Sequence, residues 1–183
     1  MQIQTQTPQL KQTQKEEKMS SSEAKHNLFV YGGLQEPDVV RLLLNRAPDS
    51  VSALLPGFHR FRLKGRVYPA VLPSENGKIP GKVLKGLTDD ELKMLDLFED
   101  VEYDRKTVEV VLTDTSEKMQ VETYVWGNKD DPDLYGEWDF EEWKRLHMGR
   151  FLTATKNFVE GMKLPEGKTR IDTFNTFFRQ DAS

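Results

Sequence analysis

The sequence predicts an α+β domain. Strand-like runs crowd the stretch between Leu28 and Trp126, and helical periodicity is confined to a few segments. The two types do not alternate in the regular way that builds a doubly wound parallel sheet. At 183 residues with 37% hydrophobic content, the chain can bury one sizeable core and carry appendages.

Residues 1–26 are rich in Gln, Thr, Lys, Glu and Ser, and their few apolar residues lack periodicity. Such a segment buries too little to offset its ordering entropy, so a disordered tail is predicted. It has no Arg and carries Glu16, Glu17 and Glu23, which argues against a mitochondrial transit peptide. Leu28 to Tyr31 reads as a short buried strand, broken by Gly32-Gly33. Glu36-Pro37-Asp38 opens a helix with Pro37 in its first turn. Phe58–Leu63 alternates as a strand. Ala70–Leu72 and Val83–Leu87 are shorter candidates, with Gly57, Gly65, Gly77 and Gly81 expected at turns.

Thr88-Asp89-Asp90-Glu91 has the form of a capping box. Leu92, Leu95 and Phe98 follow at helical spacing, so a helix is predicted to end near Glu99-Asp100. Thr107–Leu112 and Met119–Trp126 read as paired strands. From Asp139 to Lys163 an aromatic face recurs at helical spacing and predicts one long C-terminal helix. The tail 164–183 holds three phenylalanines and no clear element.

Composition removes several chemistries. With no cysteine, disulfides, thiolate zinc sites and cysteine nucleophiles are excluded. The motifs of a serine-hydrolase elbow and of a phosphate-binding P-loop are missing, and His26, His59 and His147 lack metal-ligand spacing. A net charge of −4 with interspersed signs gives no field for nucleic acid. No apolar run approaches membrane-spanning length and no signal-type stretch is present, so a cytoplasmic protein is expected.

Two features can carry chemistry. Gly32-Gly33 between a strand and a helix lets backbone approach a ligand and offers N–H groups to an anion; a plain tight turn would need the same residues. Glu99 is placed at the negative end of a helix dipole beside Asp96, Asp100 and Glu102, with Leu95 and Phe98 to desolvate it. Each effect raises a carboxyl pKa toward what a proton acceptor near neutral pH needs. A solvated acidic helix end is the alternative.

Three segments in order carry a resemblance: Phe29-Val30-Tyr31-Gly32-Gly33-Leu34, then Tyr68-Pro69-Ala70, then Leu95-Asp96-x-Phe98-Glu99-x-x-x-Tyr103-x-Arg105. Together they resemble the gamma-glutamylcyclotransferase-like superfamily, nearest to the plant avirulence-induced-gene (AIG2-like) family, over about residues 27–165. The resemblance implies a small mixed β-barrel flanked by helices, with a catalytic domain at 27–130 and a helical extension and tail at 131–183. It implies that Tyr31, Gly32, Gly33 and Leu34 wrap the γ-glutamyl end of a small-molecule substrate, with Gln35 and Glu36 at the rim. Glu99 would be the catalytic proton acceptor, and 5-oxoproline and a free amine the products. No cofactor or metal is implied, nor nucleic-acid or membrane partners; a monomer or weak dimer is expected. A non-catalytic small-molecule-binding or defence-response protein keeping the fold is the alternative.

The implied chemistry suits the residues. A γ-glutamyl compound carries its own nucleophile, the α-amine, so the enzyme's work is positioning and proton transfer. Two positions depart from the family pattern. Gly33 stands where Ser or Thr is usual, which predicts a looser loop. Asp100 stands where Gly is frequent, and a left-handed turn is expected there.

Overall fold

The computed structural model describes residues 25–163 and 167–179. All of the predicted tail except Lys25 and His26 lies outside the described residues, and His26 already belongs to the first strand. In chain order the elements are β1 (His26–Val30), a 3-10 turn (Gly33–Gln35), α1 (Pro37–Leu44), β2 (Ser50–Leu63) and β3 (Ala70–Leu87). Then come α2 (Asp89–Glu99), a second 3-10 turn (Asp100–Glu102), β4 (Tyr103–Leu112), β5 (Lys118–Trp126) and β6 (Leu134–Tyr135). Three helices finish the described chain: α3 (Phe140–Leu146), α4 (Met148–Met162) and α5 (Arg170–Arg179).

The strands run in the order β3-β1-β5-β4-β2, and β2 pairs back onto β3, which closes a five-stranded mixed barrel. β6 is a two-residue annex on β2. All pairs are antiparallel except β1–β5, whose ladder registers a single Cα pair. Side chains reinforce that thin seam. The Thr123 hydroxyl donates to the Phe29 carbonyl at 2.9 Å, and the Tyr31 hydroxyl donates to the Tyr124 carbonyl.

Period-2 alternation divides the core in two. Phe29 and Tyr31 point into the barrel with Ala53, Leu55, Val71, Ile79, Val83, Val110 and Val121. Leu28 and Val30 point outward, into the layer between the barrel and its helices. α2 begins as its sequence predicts. Glu91 N–H donates to Thr88 Oγ1 at 3.2 Å, and Thr88 N–H donates to the Glu91 carboxylate at 3.0 Å. Its buried stripe is Leu92, Leu95 and Phe98.

Five expectations are corrected. Strand β2 starts at Ser50 rather than Phe58. The two short candidates at 70–72 and 83–87 are one strand, β3. Gly77 and Gly81 lie inside it: a Cβ would run into the Phe58 carbonyl at Gly77 and the Val30 carbonyl at Gly81. They are glycines of close approach rather than of turns. The helix expected over 139–163 breaks at His147, whose φ of −127° is not helical. Trp143 and Phe151, eight positions apart, would diverge by about 80° on one continuous helix; the break lets both reach the same core, with ring centroids 5.2 Å apart. Finally, the tail contains a helix, α5, opened by Thr169, whose hydroxyl accepts from Asp172 N–H at 3.1 Å. Among the described residues, no helix is long and apolar enough to cross a membrane.

Candidate active site

The end of β1, the end of α2 and the start of α5 converge on one cavity. Its lining includes Tyr31, Gly32, Gly33 and Leu34 on one side and Glu99 with Phe98 on the other, and Arg170 and Phe174 come from α5. Tyr68, Pro69, Tyr103, Tyr124 and Phe151 complete the wall. The two motifs picked out of the sequence, the glycine loop and Glu99, therefore face a common space. Gln35 and Glu36 do not line it. Gln35 is buried in a separate recess beside Lys82, whose Nζ donates to its carbonyl at 3.2 Å. Glu36 is the residue before α1, and its carbonyl accepts from Val39 and Val40 N–H.

The loop is held from several directions. Arg60, buried in β2, donates from Nη1 to the Tyr31 carbonyl at 2.7 Å and from Nε to the Trp138 carbonyl at 3.2 Å. Gly33 packs under two aromatic rings. A Cβ there would stand 2.8 Å from Phe151 Cε1 and 3.2 Å from Trp143 Cζ2. The loop is therefore tightly covered rather than loose: the aromatic face of α3 and α4 occupies the space a serine side chain would need.

Glu99 is half-buried, because part of its surface opens into the cavity. The cavity itself is lined by aromatic rings, so its carboxyl group is poorly hydrated. Burial is the main cause that pushes its pKa up to about 7. Arg170 opposes the rise, and Glu102 and Asp96 add to it. Among the described residues, no side-chain donor bonds its carboxyl group. Burial also raises the hydroxyl pKa values of Tyr31, Tyr103 and Tyr124, with the Glu99 carboxylate adding to each. These phenols stay protonated at neutral pH.

Asp100, expected to press on Glu99, is turned elsewhere. One carboxylate oxygen accepts from Val101 N–H at 2.8 Å and the other from Ile171 N–H at 3.3 Å, in the first turn of α5. Its φ is +62° but its ψ is −167°. This lies outside the left-handed helical region and costs a non-glycine residue about 1–3 kcal/mol. The two hydrogen bonds offset part of that strain.

Tyr103 and Arg105 secure the surroundings. The Tyr103 hydroxyl donates to the Pro69 carbonyl at 2.7 Å. Arg105 meets Asp96 at 3.1 Å and Glu122 at 2.8 Å. Tyr68 donates to Glu102 at 2.8 Å, and Arg66 bonds both of them.

Sequence reasoning missed Arg170 and Phe174. Arg170 is 3% exposed. Its Nε donates to the Phe98 carbonyl and its Nη2 to the Glu99 carbonyl, both at 2.8 Å. Nη2 also meets Glu102 at 2.8 Å. The guanidinium lies 4.7 Å from the Tyr68 ring centroid. Nη1 is buried with no hydrogen-bond partner among the described residues. A local signal for α5 does exist in Thr169-x-x-Asp172, a helix-start pattern. Nothing local reports that Arg170 returns to a helix end some 70 residues earlier. No group of three or more potential metal ligands gathers among the described residues.

A closed mixed barrel with a carboxyl group facing a glycine loop defines a gamma-glutamylcyclotransferase-like protein. A solved structure named Gamma-glutamyl cyclotransferase shares the fold, with a TM-score of 0.54 at 15% identity over 85% of this chain and 99% of that one. The profile of the family described as Gamma-glutamyl cyclotransferase, AIG2-like, matches residues 28–145, and the chain belongs to that family. AIG2-like protein C of Arabidopsis thaliana is 74% identical over 163 residues, covering 89% of this chain and 95% of its own length. A solution structure from Arabidopsis thaliana is 57% identical with a TM-score of 0.60, covering 79% of this chain and 97% of that one. The matched profile ends before α4 and α5, so Phe151, Arg170 and Phe174 reach the cavity from beyond it.

Proposed function

We propose that the protein is a gamma-glutamylcyclotransferase, releasing 5-oxoproline from a γ-glutamyl compound. The observation that carries this reading is a carboxyl group, with its pKa raised to about 7, facing the Gly32-Gly33 loop across an aromatic cavity. The Glu99 carboxylate takes a proton from the substrate's α-ammonium. The freed amine nitrogen attacks the γ-carbonyl carbon and closes a five-membered ring. The bond from that carbon to the leaving nitrogen then breaks as Glu99 returns the proton to the departing amine. The ring nitrogen gives up its second proton to the same carboxylate, which leaves a neutral lactam and an ammonium product. A group that titrates near 7 can do both at neutral pH. Backbone N–H groups of the glycine loop suit the substrate's carboxylate or the oxyanion that forms on the γ-carbonyl.

The cavity volume is about 40 Å³. That is room for a few water molecules, so a glutamyl group does not fit wholly inside the enclosed part of the cavity, which is open on one side. A second reading, a binding protein that keeps the fold without turnover, is favoured by Gly33, which stands where the family pattern usually has Ser or Thr.

The test is 5-oxoproline release from a panel of γ-glutamyl amino acids, γ-glutamylamines and glutathione, beside Glu99→Gln. The parent is expected to turn over at least one of them. The variant should fold normally and lose activity by about 100-fold or more. Calorimetric binding without release by the parent would favour the binding protein. A folded Glu99→Gln protein with parental turnover would remove Glu99 from the mechanism.

A further inference from the structure

Helix α5 and the end of α2 exchange partners. The last carbonyls of a helix lack intrahelical donors and collect negative charge, and its first N–H groups lack acceptors and collect positive charge. Here the Phe98 and Glu99 carbonyls receive Arg170 of α5, and the Ile171 N–H of α5 is received by Asp100 at the end of α2. Phe98 and Phe174 pack edge to face between them, with centroids 5.8 Å apart. The exchange brackets the backbone of one residue, Glu99. It is held through a residue at a costly φ/ψ combination, and a strained backbone persists only where its surroundings over-determine it.

We infer that Arg170 is a positioning residue of the reaction. By gripping the end of α2 it directs the Glu99 carboxyl group toward the glycine loop and sets the charge that group meets. The inference rests on the cyclotransferase reading, and it makes α5 a wall of the site rather than an appendage. The groups that face Glu99 come from every element around it. Among the described residues they are Tyr31 just past β1, Asp96 from α2 itself, Glu102 from the 3-10 turn, Tyr103 from β4, Tyr124 from β5 and Arg170 from α5. Arg170 is the one cation in that set. Its loss would remove positive charge from Glu99 and leave Glu102 with Arg66 as its remaining cationic partner among the described residues. Both changes favour the protonated acid.

The experiment uses the full chain with Arg170→Met and Arg170→Lys. The Glu99 side chain is titrated by NMR with carbon-13-labelled glutamate, its signal assigned by its loss in Glu99→Gln. This arm works whether or not the protein turns over, so it fails independently of the cyclotransferase reading. The second arm measures kcat and KM for 5-oxoproline release against pH. Arg170→Met should move the Glu99 midpoint to higher pH and move the acid limb of the rate profile with it. At pH 7 kcat should fall by about tenfold or more, with KM changed less. Arg170→Lys keeps the charge but not the planar fork, so its midpoint should move less while kcat still falls. If Arg170→Met does not fold, the lysine variant decides alone. Folded variants with the parental midpoint and kcat would overturn the inference. So would a rise in KM alone, which would make Arg170 a substrate anchor.

Discussion

The barrel interior and the cavity on its flank share two residues, Phe29 and Tyr31, and little else. The interior is filled by Ala53, Leu55, Val71, Ile79, Val83, Val110 and Val121 around those two rings. Two buried hydroxyls are satisfied by backbone carbonyls: Tyr31 donates to Tyr124 and Thr123 to Phe29. The flank collects what the interior excludes. It holds a carboxyl group with a raised pKa, a buried guanidinium with a donor to spare and, next to Glu99, a strained backbone at Asp100. The contrast separates two duties. The interior contributes apolar burial, the main favourable term in folding, with no charged group in it, although the larger buried cluster lies on the flank. The poorly hydrated carboxyl group of Glu99 and the strained backbone at Asp100 lie together on one side, where α5 closes over them.

That division can be broken most severely from the inside. Ile79→Ala leaves a void in a barrel whose walls cannot collapse freely, and should cost about 2–5 kcal/mol. Denaturant unfolding reads the loss, while kcat per folded molecule should stay near the parental value. A matching drop in kcat would show that the interior also tunes the site.

Next in size is the effect of Glu99 on stability. Its pKa is raised from 4.5 to about 7. Between those values the folded protein holds a proton that the unfolded chain has lost. The stability linked to that proton is fully present below pH 4.5 and is lost as pH rises through about 7. Glu99→Gln is neutral throughout. It should match the parent at acid pH and exceed it above pH 7, by up to about 3 kcal/mol. Contact of Glu99 with solvent in the cavity will reduce that figure. A gap between the melting curves that does not vary with pH would sink the assignment of burial as the cause.

The smallest effect concerns the loop. Gly33→Ser places a Cβ against Phe151 and Trp143 and should cost about 1–3 kcal/mol through overpacking. Phe151→Leu should relieve the crowding, so the double variant should lose less than the sum of the two single changes. Strict additivity would mean that the rings do not hold the loop.

Much of this was legible in the sequence because it is local. The capping box at Thr88, the apolar stripe ending at Phe98, Pro37 in the first turn of α1 and the β4–β5 alternation each depend on neighbours within one or two turns of chain. The break at His147 was barely legible, since the local cue is a single glycine, Gly149, two residues on; it follows from bringing Trp143 and Phe151 onto the same core. The continuity of β3 was hidden for a similar reason. Its middle, Pro73 to Gly81, is polar and glycine-containing, and its strand geometry comes from pairing with β2. Asp100 illustrates a partial reading. An unusual backbone was expected there, but the acceptor role toward Ile171 depends on where α5 docks, which its local start signal at Thr169 does not report.

By itself, the sequence determined the elements that fold by short-range rules, together with the identity of the two motifs that face the cavity. It could place Glu99 at a helix end with acidic neighbours, because helix period and capping are properties of consecutive residues. Only the tertiary structure decided what that glutamate experiences. Closure of the barrel sets the glycine loop opposite it, α4 fills the space above Gly33, and α5 returns Arg170 to the carbonyls of Phe98 and Glu99. Those contacts join residues far apart in the chain. Their partners are chosen by packing and electrostatics, which no local pattern encodes.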